Sequence, residues 1–278
     1  MKMRGSDQKI LLLIVMVVVA AARGEDPGGF VTWNDNFYLT WGHKALVLKE
    51  TSELDLTLDH NSGSEFESYL MYGSGSFNMR IKAPKTKSTG VITSFDLISL
   101  SSRRDGLCFQ ILGNGTTYLL NTNMLLLGEG GKDQRFRLWF DPTKDYHSYR
   151  FLWNPHQLVF YVDDTPIRVY RKNPDTYYPT KQTMLLRGSV QNGSVIDPKQ
   201  MPYIAKFQAP KIEACETTFM YLKNCADPKF WWNRKENWQL SSREKKLYMN
   251  AKKLHLAYDY CSDRTRYPKA PQECRSYA

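Results

Sequence analysis

The chain has 278 residues, 38 Lys and Arg against 28 Asp and Glu, a formal net charge of +10, and 42% hydrophobic residues. That length accommodates one large all-β domain or two smaller ones, with enough chain to bury a substantial core. The charge favours polyanionic surroundings, but the chain has no zinc-finger spacing and no aromatic RNA-binding signature, so nucleic acid is not an expected partner.

In chain order, the first feature is a leader. Met1 to Lys9 carries Lys2, Arg4 and Lys9, and Ile10 to Ala22 is an unbroken apolar run ending in three alanines. This is the pattern of a secretory signal peptide over residues 1–22, and the run is too short for a comfortable membrane span. A secreted, soluble protein with no membrane span follows as the expectation. Removing the leader takes away Lys2, Arg4, Lys9 and Asp7, leaving 35 basic and 27 acidic residues and a balance of +8.

From Phe30 to about Cys215 short alternating segments are broken by turns, as in Leu54–Asp59, Gly75–Lys82 and Leu158–Asp164. The last runs into a turn at Asp163-Asp164, with Thr165 to Tyr170 as its hairpin partner. Many short strands without a long helical period predict an all-β sandwich over 23–215. Composition then changes. Asn237 to Tyr260 is rich in Lys, Glu, Leu, Met and Ala, with Leu240, Leu247, Leu254 and Leu256 at roughly helical spacing, which predicts one amphipathic helix in an extension over 216–278.

Asn114-Gly115-Thr116 and Asn192-Gly193-Ser194 are acceptors for N-linked sugar in a secreted chain, expected on exposed loops. Of five cysteines, Cys215, Cys225, Cys261 and Cys274 read most simply as two short-range disulfides, Cys215 with Cys225 and Cys261 with Cys274, although four cysteines allow three connectivities. Cys108 is left over, and its apolar strand makes it a buried free thiol.

That strand, Arg103-Arg104-Asp105-Gly106-Leu107-Cys108-Phe109-Gln110-Ile111-Leu112-Gly113-Asn114, poses the main functional question. Alternation sends Leu107, Phe109 and Ile111 to one face and Gly106, Cys108 and Gln110 to the other. Its surroundings carry a recognisable set of segments. They include Tyr72-Gly73-Ser74-Gly75, Thr122-Asn123, Leu138-Trp139-Phe140-Asp141-Pro142-Thr143, Leu152-Trp153-Asn154-Pro155, and Tyr258-Asp259-Tyr260-Cys261 with Arg266-Tyr267-Pro268. In this order, over about Val31 to Cys274, the chain resembles the xyloglucan endotransglucosylase/hydrolases of plant cell walls, in glycoside hydrolase family sixteen.

The resemblance implies a curved β-jelly-roll with an open cleft for a β-glucan chain and a C-terminal extension on the acceptor side. Members cut xyloglucan, hold the fragment covalently, and pass it to another chain or to water. Their central strand reads H-D-E-I-D-F-E-F-L-G. A retaining mechanism needs two carboxyl groups about 5 to 5.5 Å apart across the scissile bond. Aligned without gaps, Gly106 takes the nucleophile position, Cys108 the helper and Gln110 the acid/base, so no catalytic carboxylate remains. Gln110 accepts and donates hydrogen bonds but has no proton to release.

Asp105 belongs to the opposite face, and a one-residue slip would turn Leu107, Phe109 and Ile111 into the cleft. Asp96, on the neighbouring strand, is the remaining carboxylate that could substitute. The resemblance also implies sugar contacts by Asn121, Thr122, Asn123, Lys132 and Asp133, and acceptor-side roles for Tyr258 and Arg266, which could equally pin the extension. The family's S-L-W-N-A-D-D-W-A-T-R-G-G loop is reduced to Gly188–Ser194, and Leu127 replaces a polar cleft residue. The expectation is a monomeric apoplastic protein of the cell wall that binds xyloglucan or a related β-glucan, without cofactor or metal, and without the retaining chemistry. The competing expectations are an active xyloglucan:xyloglucosyl transferase using substitute residues, and a folded relative without glycan affinity that works through protein partners.

Overall fold

A computed structural model describes residues 31–42, 45–48, 53–86, 88–114 and 117–277. The expected leader, residues 1–22, lies outside them. A helical turn at Trp33–Asn36 precedes fifteen strands. They are β1 (Phe37–Trp41), β2 (Ala45–Leu48), β3 (Glu53–Leu58), β4 (Ser64–Ser68), β5 (Tyr72–Lys82), β6 (Val91–Ile98), β7 (Gly106–Asn114) and β8 (Thr117–Leu125). β9 (Gln134–Arg137), β10 (His147–Trp153), β11 (Gln157–Val162), β12 (Thr165–Arg171), β13 (Leu185–Asn192), β14 (Tyr203–Glu216) and β15 (Leu256–Asp259) complete them.

Residues 31–277 form a sandwich of two antiparallel sheets. One runs β1-β4-β13-β6-β7-β8-β9-β15 and the other β12-β11-β10-β5-β14-β3-β2. The core lies between them. Phe109 of β7 meets Phe151 of β10 at 4.7 Å and Phe160 of β11 at 5.3 Å between ring centroids. Leu107, Phe109 and Ile111 are 1%, 1% and 3% exposed. Turning them outward by a one-residue slip would lose about 1.5–3 kcal/mol for each side chain, which is what fixes the register of β7.

The helix is shorter than its sequence period suggests, Ser242–His255. Ser241 opens it with a capping box: its hydroxyl accepts from Glu244 N, and Glu244 returns a bond to the Ser241 backbone. Glu244 also accepts from the Tyr161 hydroxyl of β11 at 2.9 Å, which ties the helix to the seven-stranded sheet. After His255 the chain becomes β15 because Tyr258 and Asp259 pair with Arg135 and Gln134 of β9. The extension therefore supplies the last strand of the eight-stranded sheet. Disulfides join Cys215 to Cys225 and Cys261 to Cys274.

Candidate functional site

The outer face of the eight-stranded sheet is built from cross-strand rows. The central row runs Tyr38–Glu67–Arg187–Asp96–Cys108–Asn123 through β1, β4, β13, β6, β7 and β8. Tyr38 donates to Glu67 at 2.9 Å, and Arg187 meets Glu67 Oε1 at 2.6 Å and Glu65 Oε2 at 3.7 Å. The next row holds Trp41, Glu65, Ser189, Ser94, Gln110, Asn121, Arg135 and Tyr258. Exposed Tyr38 and Trp41 thus stand at one end of this face, and Tyr258, with Arg135 5.1 Å over its ring, at the other.

The three positions of β7 that alternation turns outward do so. Gly106 faces Ile98 of β6, and a Cβ placed on it would lie 2.7 Å from Ile98 Cδ1. A side chain there would need the tip of Ile98 to turn aside. Cys108 is a free thiol opposite Asp96, half-buried where a buried thiol was expected, because it lies on the outer face of the sheet. Burial first, and the facing Asp96 carboxyl second, push its pKa well up, so it stays protonated and is a poor nucleophile. Gln110 accepts from Asn121 Nδ2 at 3.1 Å, and the same amide donates to Asp133 Oδ1 at 3.0 Å. Asp133 Oδ2 in turn lies 3.6 Å from Arg266 Nη1. One polar chain therefore links Gln110 to the extension.

Asp96 is half-buried, but its Oδ1 is closed off from solvent without a well-formed hydrogen bond. Burial raises its pKa from 3.8 to about 7, against the opposing pull of the Cys108 thiol, the Arg187 guanidinium and the Ser94 hydroxyl. A carboxyl poised there can hold or release a proton near neutrality. Asp105 is different. It is fully buried at the entry to β7, where it accepts from Leu127 N at 2.9 Å and the Tyr177 hydroxyl at 2.6 Å. Those two bonds commit it to holding the turn at Leu127, away from the outer face.

The remaining expected site residues divide. Asn121 and Asn123 share the outer face, although Asn123 Oδ1 accepts from Met124 N and Lys132 N and so also holds the following loop. Thr122 does not fit the expected sugar contact, because alternation turns it into the core. It is fully buried, its hydroxyl donates to Gln134 O, and Arg168 Nη1 of β12 donates to its carbonyl at 2.7 Å and its hydroxyl at 3.1 Å. Lys132 pairs with Glu273 at 3.2 Å and so fastens the extension, while Tyr258 donates to Asp263 at 2.8 Å within the extension itself. Arg266 is half exposed beside Asp133. Asn192 is the exposed last residue of β13, within a strand end where an open loop was expected, and Asn114 closes β7, with Gly115 and Thr116 outside the described residues. Among the described residues no group of His, Cys, Asp or Glu is arranged to hold a metal ion.

Residues 33–208 match the glycosyl hydrolases family 16 domain, and residues 226–274 match the xyloglucan endo-transglycosylase (XET) C-terminus. The Arabidopsis thaliana protein named "Probable xyloglucan endotransglucosylase/hydrolase protein 11" is 76% identical over 99% of this chain and 100% of its own length. The chain belongs to the xyloglucan endotransglucosylase/hydrolases. Within this family, xyloglucan endotransglucosylase/hydrolase protein 3 of the same plant is 40% identical over 88% of this chain and 89% of its own. Xyloglucan endotransglucosylase protein 2 of Diospyros kaki is 35% identical over 88% of each. Among solved structures, a Bacillus licheniformis β-glucanase superposes with a TM-score of 0.55 at 21% identity, covering 66% of this chain and 95% of that one. The Crh5 transglycosylase gives 0.56 at 20% identity, covering 66% and 80%. These two show the fold alone.

Sequence reasoning did not find Tyr38, Trp41, Glu65, Glu67, Arg187 or Ile98 on the outer sheet face of this xyloglucan endotransglucosylase/hydrolase. Alternation within Ser64–Ser68 places Glu65 and Glu67 on one face, which was the available signal. Their meeting with Arg187 depends on pairing between strands more than a hundred residues apart, which no local pattern encodes.

Proposed function

We propose that this member of the family is a secreted cell-wall protein that binds xyloglucan-type β-glucan along the outer face of the eight-stranded sheet and does not carry out retaining transfer. The carrying observation is that no carboxylate projects from β7: Ile98 occupies the space beside Gly106, Cys108 is held as a thiol, and Gln110 is an amide engaged by Asn121. Covalent catalysis needs a nucleophile and a matched acid/base. Neither position supplies one. Glucan binding rests on Tyr38 and Trp41 at one end of the face, Tyr258 and Arg266 at the other, and the amides of Gln110 and Asn121 between them. In this reading Asn123, Lys132 and Asp133 shape the acceptor side, and Asn114 and Asn192 carry sugar.

One observation favours the second reading, an active xyloglucan:xyloglucosyl transferase with substitute residues. Asp96, at about 7, is suited to donate a proton to a leaving oxygen. The carboxylates of Glu67 and Glu65, along the sheet from it, are engaged by Arg187 and by the Tyr38 and Thr40 hydroxyls, so neither is a free nucleophile to complete the pair. Electrophoresis through xyloglucan-containing gels tests binding, and transfer from xyloglucan to a labelled oligosaccharide tests chemistry. Retarded migration without transfer is the expected result. Unaltered migration removes the glucan-binding reading and leaves a folded relative acting through other partners.

A further inference from the structure

The helix Ser242–His255 lies against β12 on the sheet opposite to the glucan cleft, and a groove of about 1030 Å³ runs along it. This is at the upper end of ordinary ligand clefts. Lys245, Lys246, Lys252 and Lys253 line the helix side and Arg171 the strand side. The spacing is regular: Lys245 with Lys252, and Lys246 with Lys253, are seven residues apart, two helical turns and about 10.5 Å on the same side of the helix. Lys252 is paired with Asp259 at 3.7 Å. Among the described residues no ion pair joins Lys245, Lys246, Lys253 or Arg171. The helix has a single acid, Glu244, and its carboxylate is engaged by Ser241 and Tyr161.

Like charges gathered in one groove repel one another; the helix C-terminus offsets part of this for Lys252 and Lys253 in the last turn, but not for Lys245 and Lys246. An extended polyanion relieves the repulsion. The groove also has an apolar side, formed by half-buried Tyr248 over buried Leu240. A sugar ring presents its C–H face to such a wall and its charged substituent to the lysines. The combination fits a chain of rings each bearing a carboxylate better than it fits a flat lipid surface, which would not enter a groove.

We propose that this groove binds a linear polyuronate, so that the protein holds a neutral glucan on one sheet and an acidic polysaccharide beside the other. The inference is independent of whether the glucan cleft retains chemistry.

The test uses the full secreted chain in gels containing polygalacturonate, fully methyl-esterified polygalacturonate, double-stranded DNA, or xyloglucan. The groove variant is Lys245→Gln, Lys246→Gln, Lys253→Gln, which spares the Lys252–Asp259 pair. The control removes the same charge elsewhere with Lys144→Gln, Lys181→Gln, Lys223→Gln. Retardation by polygalacturonate should weaken roughly tenfold or more in the groove variant and far less in the control, with xyloglucan retardation unchanged in both. Equal loss in the two variants, or loss in neither, overturns the proposal in favour of delocalised net charge. Equal retardation by the esterified polymer, or by DNA through the same three lysines, overturns the assignment to a polyuronate. Lysine-acetylation footprinting of the unmodified chain gives a reading that needs no variant. Oligogalacturonate should protect Lys245, Lys246 and Lys253 and not Lys144, Lys181 and Lys223; uniform protection overturns the site.

Discussion

Ile98 stands where a side chain on Gly106 would have to begin, its Cδ1 2.7 Å from the position of a Cβ at residue 106. The two residues are directly paired across β6 and β7. A side chain at position 106 therefore requires the tip of Ile98 to turn aside, a small rearrangement because Cδ1 is the flexible end of that side chain. Gly106→Glu, Cys108→Asp, Gln110→Glu should lose no more than about 1–3 kcal/mol, as the tip of Ile98 turns aside, and should release reducing ends from xyloglucan. Adding Ile98→Ala should change that release little and cost further stability, because Ile98 is buried. Release that appears only once Ile98→Ala is added would contradict this and show that Ile98 blocks position 106.

Asp96 predicts a pH dependence of stability with a definite sign. Its pKa is about 7 when folded against 3.8 ordinarily, so between these values the folded chain binds more protons than the unfolded one, and stability falls as pH rises through that window. Asp96→Asn removes the effect. Thermal unfolding should show the variant gaining on the parent from pH 4 to pH 8, by no more than about 2 kcal/mol because the residue is only half-buried. A flat difference, or one in which the parent gains as pH rises, would mean that pairing with Arg187 outweighs desolvation.

Thr122 separates a structural role from a glycan role. Arg168 is 2% exposed, and Thr122 supplies it with two acceptors. Thr122→Val removes one of them and should cost about 1–3 kcal/mol in urea unfolding while leaving xyloglucan retardation intact. Weaker retardation at unchanged stability would return Thr122 to the sugar contacts.

Trp41 carries the opposite expectation. It is 36% exposed at the edge of the outer face, in the row of Gln110. Trp41→Ala should leave the unfolding midpoint nearly unchanged and weaken xyloglucan retardation about two- to tenfold, the usual worth of one aromatic contact. Unchanged retardation would move the binding surface elsewhere.

The parts of this molecule legible in the sequence are those fixed by local periodicity. Leu107, Phe109 and Ile111 turn inward and Gly106, Cys108 and Gln110 outward because a strand alternates, and the hairpin of β11 and β12 follows from the turn at Asp163-Asp164. The end of the helix was not legible. Leu254 and Leu256 extend its period, yet Leu256 opens β15 because β9 offers Gln134 and Arg135 as pairing partners. Ile98 beside Gly106, Asp96 beside Cys108 and Arg187 beside Glu67 are likewise products of register, which depends on how distant strands meet. The sequence therefore displayed Gly106, Cys108 and Gln110 on the outer face, while Ile98 beside the first and Asp96 beside the second became visible only in the assembled sheet.

The most direct test of the central reading is the transfer assay, in which the purified chain is incubated with xyloglucan and a labelled xyloglucan oligosaccharide across pH 4 to 8. The expected result is no incorporation of label at any pH by a protein that is still retarded in xyloglucan gels. Incorporation that disappears in Asp96→Asn would contradict it and place a working acid one strand away from β7.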